Sequence, residues 1–366
     1  KMRRLLLAAC VCASLSAPVM AAQSIAPDVF RALQTSQAAQ QAGQLSKAEQ
    51  ALKAVNTKAD SLERALIERS QGYLAWAQGR TQPAITLLSR ALVSGHLNDE
   101  QVSEDRLNIA KLHFSVQEYQ SALKYLRQVA QTNDVLEMQI EAWQGLGRLD
   151  KALPLAERYL KSQSTISDKW LQFMVGANAE LKRYKDAQQW QKRIMQRNPD
   201  QLNAWKQLAA LQQMAGQYSN ALATLRTAYS KGIEFKSSDL DSLIALASAS
   251  DQPWQAARLL EGMLSSGLMS KGLASQERLA QLHWQARDYP KAIEQFTLLA
   301  QQTGKGQHWL SVAQLQIQQG RLQEGLQALS AAEKAGANLQ QVRAWRDWAQ
   351  SRLALEQKPG KQVAQY

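Results

Sequence analysis

One short pattern repeats along nearly the whole sequence. A glycine or polar turn is followed by a small residue and then by an apolar run, as in GQYSNALATL, where the small residue is Ala221. The arrangement recurs at eight other places, 30 to 38 residues apart. The small residues, here called the anchor residues, are Ala48, Ala84, Ala122, Ala152, Ala187, Ala221, Ala256, Ala292 and Gly325. Such a period predicts a chain assembled from copies of one supersecondary unit.

The residue types indicate that this unit is helical. Good helix formers dominate, the 366 residues include only eight prolines, and long alternating runs of Val, Ile and Thr are absent. Two amphipathic helices of about 12–15 residues, joined by short turns, fill a period of this length. The sequence therefore predicts an all-α fold of helical hairpins, in which helix A precedes the turn and helix B contains the anchor residue.

Small residues are also expected on helix A, twelve positions before the anchor, because the two helices of a hairpin would cross closely there. Five hairpins meet this demand, with Gly72, Ala110, Ala209, Ala280 and Ala313. The hairpin around 131–160 does not, because it has Ile140 at this position and is shorter than the others. We expect that hairpin to be distorted.

The spacing of Trp205, Ala209, Tyr218 and Ala221 resembles the tetratricopeptide repeat, and the resemblance extends over about 28–335. It is strongest in 168–230, 273–303 and 306–335. The resemblance implies a right-handed α-solenoid of about nine helical hairpins with a C-terminal capping helix. The implied organisation is a short leader at 22–27, a superhelix at 28–335, the capping helix at 336–357 and a disordered tail at 358–366.

The N-terminal residues have the three-part pattern of a secretory signal peptide at 1–21. Arg3 and Arg4 precede an apolar stretch, and Val19-Met20-Ala21 forms a small-residue cleavage site. This predicts export to the periplasm and no integral membrane segment after the signal is removed. Both cysteines lie inside the signal, so the mature chain would have no disulfide. Leu7-Ala8-Ala9-Cys10 also resembles a lipoprotein cleavage box, so lipid anchoring through Cys10 remains an alternative.

No catalytic motif is found in the sequence. The four histidines lack metal-ligand spacing, and HExxH, P-loop and GxSxG motifs are absent. We predict a protein that is not an enzyme and that has no cofactor or metal site. His113 and His283 lie on helix A where packing residues are expected. A hydrolase with its site among the repeats is the remaining enzymatic alternative.

Five residues are candidates for a partner-binding groove. In a superhelix of this kind, the second, fifth, ninth and twelfth positions of each repeat, all on helix A, line the inner face. In the second and third repeats these positions place aromatic and basic residues together: Arg69, Tyr73, Trp76, Lys111 and Phe114. Aromatic and arginine side chains dominate binding hot spots. We therefore predict that a protein or peptide docks here, with simple packing as the alternative.

A basic stretch provides a second candidate surface. The chain has a formal net charge of +12, and the densest basic run includes Lys182, Arg183, Lys185, Lys192 and Arg193. Such a run fits an anionic protein surface, phospholipid headgroups or cell-wall polymer, or it is a solvated face. Nucleic acid is not expected as the partner of an exported chain.

A narrower resemblance rests on ALIERSQGYLAWAQGRTQPAITLLSRAL, residues 65–92. It is similar to segments of periplasmic tetratricopeptide proteins associated with TonB energy-transducing systems of Gram-negative bacteria. It implies a non-enzymatic scaffold for a partner protein of the cell envelope. The alternative is an envelope-biogenesis adaptor that contacts cell wall or its synthases through the basic face. The partner's identity and the oligomeric state stay open.

We expect the mature chain to begin at Ala22 or Gln23 and to be soluble in the periplasm, because the cleavage site ends at Ala21. Intact-mass measurement of periplasmic material checks this. A lipid-modified species that starts at Cys10 and sediments with membranes would contradict it.

Overall fold

A computed structural model describes residues 25–357. The predicted signal peptide with Cys10 and Cys12, and the predicted tail at 358–366, lie outside these residues. The chain divides into two compact units, one extending to Ser167 and the other beginning at Asp168. We call them unit 1 and unit 2.

Unit 1 contains four helical hairpins. Their helices are α1 (Pro27–Gln41), α2 (Leu45–Lys53), α3 (Leu62–Ala77), α4 (Thr81–Val93), α5 (Asp99–Ser115), α6 (Tyr119–Leu126), α7 (Asn133–Gly145) and α8 (Leu149–Lys161). Each odd-numbered helix is a helix A and packs against the helix B that follows it.

Unit 2 contains five hairpins and one further helix. Its helices are α9 (Asp168–Glu180), α10 (Tyr184–Arg197), α11 (Leu202–Met214), α12 (Tyr218–Ser230), α13 (Ser237–Ala249), α14 (Pro253–Ser265), α15 (Leu273–Gln285), α16 (Tyr289–Thr303), α17 (Gly306–Gln318), α18 (Leu322–Lys334) and α19 (Leu339–Glu356). Over 25–357 every regular element is a helix. The predicted all-α fold with nine hairpins and a C-terminal helix is confirmed.

The anchor residues lie at the crossings of the hairpins, as predicted. All eight anchor alanines have no exposed surface, and Gly325 is buried as well. Each anchor is the fourth residue of its helix B, and its N–H donates to the carbonyl oxygen four residues earlier at 2.9–3.1 Å. At Gly325 the approach is so close that an added Cβ would lie 2.4 Å from Ile317 Cγ1. The small residues therefore set how closely the paired helices pack.

The turn inside each hairpin has one conformation in all nine cases. The residue two before helix B is left-handed, and the N–H that follows it bonds to the carbonyl oxygen five residues earlier at 2.7–3.0 Å. This is a Schellman motif, which satisfies carbonyl groups at the end of helix A. Glycine occupies the left-handed position in five turns, for example Gly216 with φ 74°. In the other four it is Gln117, Lys182, Asp251 or Arg287.

The sequence predicted a short, distorted hairpin at 131–160, but α7 and α8 have 13 residues each, and the shortening lies in the hairpin before them. The anchors Ala122 and Ala152 are only 30 residues apart, and the loss falls at the end of α6, which has eight residues where α4 and α8 have 13. Ile140 is buried in α7 at the position where most repeats have a small residue. The missing residues amount to about one helical turn.

None of the helices over 25–357 combines the length and apolarity needed to span a bilayer.

We expect Ala221→Leu to lower the free energy of unfolding by about 1–3 kcal/mol, because the added carbons would overpack a crossing at which Ala221 has no exposed surface. Ala223→Leu is the matched control, since Ala223 is exposed on the same helix. Urea denaturation of both variants gives the comparison. Equal midpoints would contradict the assigned register.

Candidate partner-binding site

Arg69 and Tyr73 are held in a polar network between α3 and α5. The Nε atom of Arg69 donates to both carboxylate oxygens of Asp105 at 2.9 Å, and its Nη2 donates to Glu104 Oε2 at 2.7 Å. The Tyr73 hydroxyl donates to Asp105 Oδ1 at 2.5 Å and accepts from Asn108 Nδ2 at 2.9 Å. The Arg69 guanidinium also lies 5.1 Å from the Tyr73 ring centroid. These contacts join two successive A helices.

Burial dominates the electrostatics of this network. Desolvation raises the pKa of Asp105, whose side chain is fully buried, and the hydrogen bonds from Arg69 oppose that shift. Desolvation also raises the pKa of Tyr73, and the neighbouring Asp105 charge adds to the effect. Burial alone would lower the pKa of Arg69, but its hydrogen bonds and charge interaction with Asp105 raise it. Arg69 and Asp105 are thus a buried ion pair.

The sequence-based expectation that Tyr73 presents a free ring to a partner is wrong. Tyr73 is 5% exposed and its hydroxyl is bonded on both sides. Tyr73 occupies the register position expected to line the face. However, its hydroxyl bonds to the buried Asp105, the residue after the register residue Glu104, and the ring is therefore buried. Tyr73 and Arg69 therefore support the surface rather than project from it.

Trp76, Phe114 and Lys111 are partly exposed. Trp76 stacks beside Tyr73 with ring centroids 6.3 Å apart. Phe114 contacts Tyr119 edge-to-face at 5.5 Å, so one side of its ring is packed. At the other register positions of α3 and α5, Glu104 is exposed and Leu66, Arg69 and Leu107 are partly exposed, so Tyr73 alone among these eight positions is buried.

The next A helix, α7, continues this face with acidic residues that the sequence analysis did not single out. Asp134, Glu137, Glu141 and Gln144 occupy its four register positions, and all are exposed. The Glu137 carboxylate accepts a hydrogen bond from the Tyr159 hydroxyl. Their positions follow from the same repeat register as those of the aromatic and basic residues on α3 and α5. We call the register positions of α3, α5 and α7 the A-helix face of unit 1.

The second predicted surface lies in unit 2, on α10 and the turn before it. Lys182, Arg183, Lys185, Lys192 and Arg193 are all exposed. The Arg193 guanidinium lies 4.4 Å from the Trp190 ring centroid. Two other basic residues of the run are paired, Arg197 with Asp168 at 2.7 Å and Lys206 with Asp239 at 2.6 Å. The five residues form a solvent-facing basic surface, here called the α10 basic face.

The histidines make packing and hydrogen-bond contacts. His113 Nδ1 lies 2.6 Å from Glu118 Oε2, and its ring stacks on Tyr125 at 5.7 Å. His283 is 2% exposed and its Nε2 lies 2.9 Å from Glu261 Oε1. Across 25–357, no three His, Cys, Asp or Glu side chains are grouped so that they could hold a metal ion.

Comparison with known proteins agrees with the repeat architecture. Residues 277–339 match the family described as "Tetratricopeptide repeat". This segment contains most of α15 together with α16, α17 and α18. No curated protein matches the sequence significantly.

Solved structures with some similarity are also helical-repeat proteins. A tetratricopeptide repeat protein from Parabacteroides merdae is 16% identical, over 89% of this chain and 100% of that one, with a TM-score of 0.23. MamA is 14% identical, over 46% of this chain and 92% of that one, with a TM-score of 0.34.

YrrB, described as a tetratricopeptide protein with an unusual peptide-binding site, is 11% identical, over 52% of this chain and 97% of that one, with a TM-score of 0.34. Sequence identities and TM-scores this low do not indicate which ligand this chain binds. The segment at 277–339 carries the family match, and it is made of tetratricopeptide repeats.

We expect Arg69→Ala to destabilise the protein by about 3–5 kcal/mol, because it leaves the Asp105 carboxylate buried without its cation. Arg64→Ala, which removes a more exposed partner of Glu68 on the same helix, should cost about 1 kcal/mol or less. Chemical denaturation measures both. Equal, small losses would show that the network does not join α3 to α5 as described.

Proposed function

We propose that this protein is a non-enzymatic scaffold that binds a partner protein or peptide on the A-helix face of unit 1. Stacked helical hairpins suit this role because they present an extended surface without a catalytic arrangement. The partner segment would have apolar side chains that pack on Trp76 and Phe114, and basic side chains that pair with the acidic residues of α7.

The observation that carries the proposal is the composition of this face. Its base is fixed by the buried Arg69–Asp105 pair, which holds α3 against α5. The same face includes the partly exposed rings of Trp76 and Phe114. On α7 it continues with three exposed carboxylates and Gln144. Rigid aromatic side chains with charged neighbours are typical of binding hot spots. Preorganised side chains also lose less entropy on binding.

The cellular setting in this proposal is the periplasm. Its support is the signal-like pattern at 1–21 and the resemblance of residues 65–92 to TonB-associated repeat proteins. In that setting the partner is a component of an energy-transducing envelope complex.

A second candidate function uses the α10 basic face. Its five exposed cations and the Trp190–Arg193 pair would suit an anionic partner, such as cell-wall polymer, in an envelope-biogenesis adaptor. The two candidates predict binding at different surfaces, in different units of the chain.

Site-specific photo-crosslinking separates the two candidates. We expect p-benzoylphenylalanine at Trp76 or Phe114 to give a discrete adduct with a partner in intact cells. Glu141→Gln, in the Phe114-labelled chain, should weaken that adduct by removing an exposed charge that faces the partner. Glu157→Gln, an exposed change of the same kind on α8, should leave it unchanged.

Trp254, which is 54% exposed on α14, is the control position for non-specific labelling. If Trp76 and Phe114 give no adduct and Gln189 on α10 gives one, the α10 basic face is the docking surface. If Trp254 labels the same protein equally well, neither proposed surface accounts for binding.

A further inference from the structure

A pocket opens where α6 is missing its last turn. Its volume is about 310 Å³, which lies at the lower end of the range for small-ligand pockets. It is lined by Leu123, Arg127, Val129, Gln131, Gln139, Trp143 and Leu155. These residues come from α6, the segment after it, α7 and α8. The shortened hairpin has therefore left a concave surface where a full-length helix B would bring further side chains.

The pocket is separate from the A-helix face. Gln139 and Trp143 project from α7 on the side away from Glu137 and Glu141, because residues two positions apart on a helix lie about 200° around the axis. A ligand here would leave the proposed docking surface of unit 1 free.

The walls of the pocket are apolar and its rim is cationic. Leu123, Val129, Leu155 and Trp143 provide the apolar lining. The exposed guanidinium of Arg127 lies 5.6 Å from the Trp143 ring centroid. No carboxylate within 25–357 forms an ion pair with Arg127 at 4 Å or less. The site thus combines space for one large apolar side chain with an available positive charge beside it.

Two glutamines add hydrogen-bond acceptors. Gln131 Nε2 donates to the carbonyl oxygens of Leu126 and Val129 at 2.9 Å each, and Gln139 Nε2 donates to Leu126 O at 3.3 Å. Because the amide nitrogens are engaged with the end of α6, the carboxamide oxygens remain as acceptors. Peptide N–H groups are the donors that such oxygens would bind.

We propose that this pocket binds the C-terminal residue of a peptide chain. The apolar side chain of that residue enters between Trp143 and Leu155, and its α-carboxylate pairs with Arg127. The peptide N–H groups donate to the glutamine oxygens. Planar guanidinium groups bind carboxylates through two parallel hydrogen bonds, which gives the pair its geometric specificity.

Fluorine NMR of the full chain labelled with 5-fluorotryptophan tests this proposal, with Trp143→Phe used to assign the resonance. The probes are N-acetyl-Ala-Ala-Phe as the free acid and as the C-terminal amide. We expect the acid to shift the Trp143 resonance and to bind about tenfold more tightly than the amide, because only the acid gains a charge-assisted hydrogen bond.

Arg127→Gln should remove the difference between acid and amide, and Arg158→Gln, an exposed change on α8, should preserve it. Leu155→Trp should fill the pocket and abolish both shifts. Because Arg127 is exposed, Arg127→Gln remains informative if Leu155→Trp does not fold. Equal binding of acid and amide to the unmodified protein, or no binding of either, overturns the proposal. Binding of octanoate but not of the peptide acid also overturns it, in favour of a lipid-type carboxylate.

Discussion

The contact between a small residue on helix B and the facing helix A is the constraint on which the fold depends. Eight anchors are alanines with no exposed surface and the ninth is a glycine. A methyl group or a hydrogen lets the two backbones approach closely, and the larger residues four positions later fill the gap, as Leu88 and Phe296 do. Since every hairpin uses the same contact, the hairpins can stack in series within each unit.

The periodic spacing of the small residues predicted these helix crossings, because the residues that recur in each repeat are the ones that become buried. The sequence did not indicate which residues would be left-handed in four of the nine turns. Gln117, Lys182 and Arg287 have φ near 60° although they have Cβ atoms. The hydrogen bonds of the Schellman motif are made by the backbone, so any residue can form them. A side chain with a Cβ atom only adds a conformational free energy of roughly 1–2 kcal/mol. Packing of the two helices is enough to impose it.

The candidate site was harder to predict than the fold. The repeat register singled out Trp76 and Phe114, and the structure leaves both partly exposed. It could not show that Asp105, from the next A helix, would bury Tyr73 and Arg69, because that depends on a contact 32 to 36 residues away in sequence. For the pocket beside α6, the only sign in the sequence was the short spacing between the anchors Ala122 and Ala152. Its chemistry depends on which side chains border the missing turn.

Residue-resolved amide hydrogen exchange tests the central claim, the register of the nine hairpins, most directly. The first three N–H groups of a helix have no partner within that helix, whereas each anchor N–H is bonded at 2.9–3.1 Å and buried at a crossing. The account predicts a step from fast to slow exchange between the third residue of helix B and the anchor in seven hairpins. In α4 the third residue is Pro83, which has no N–H, so the step lies between Gln82 and Ala84. In α8 the Lys151 N–H already bonds to Arg148 O at 3.0 Å, so the step lies between Asp150 and Lys151. A step displaced by one residue from these positions, or anchors that exchange as fast as the unbonded residues before them, would contradict it.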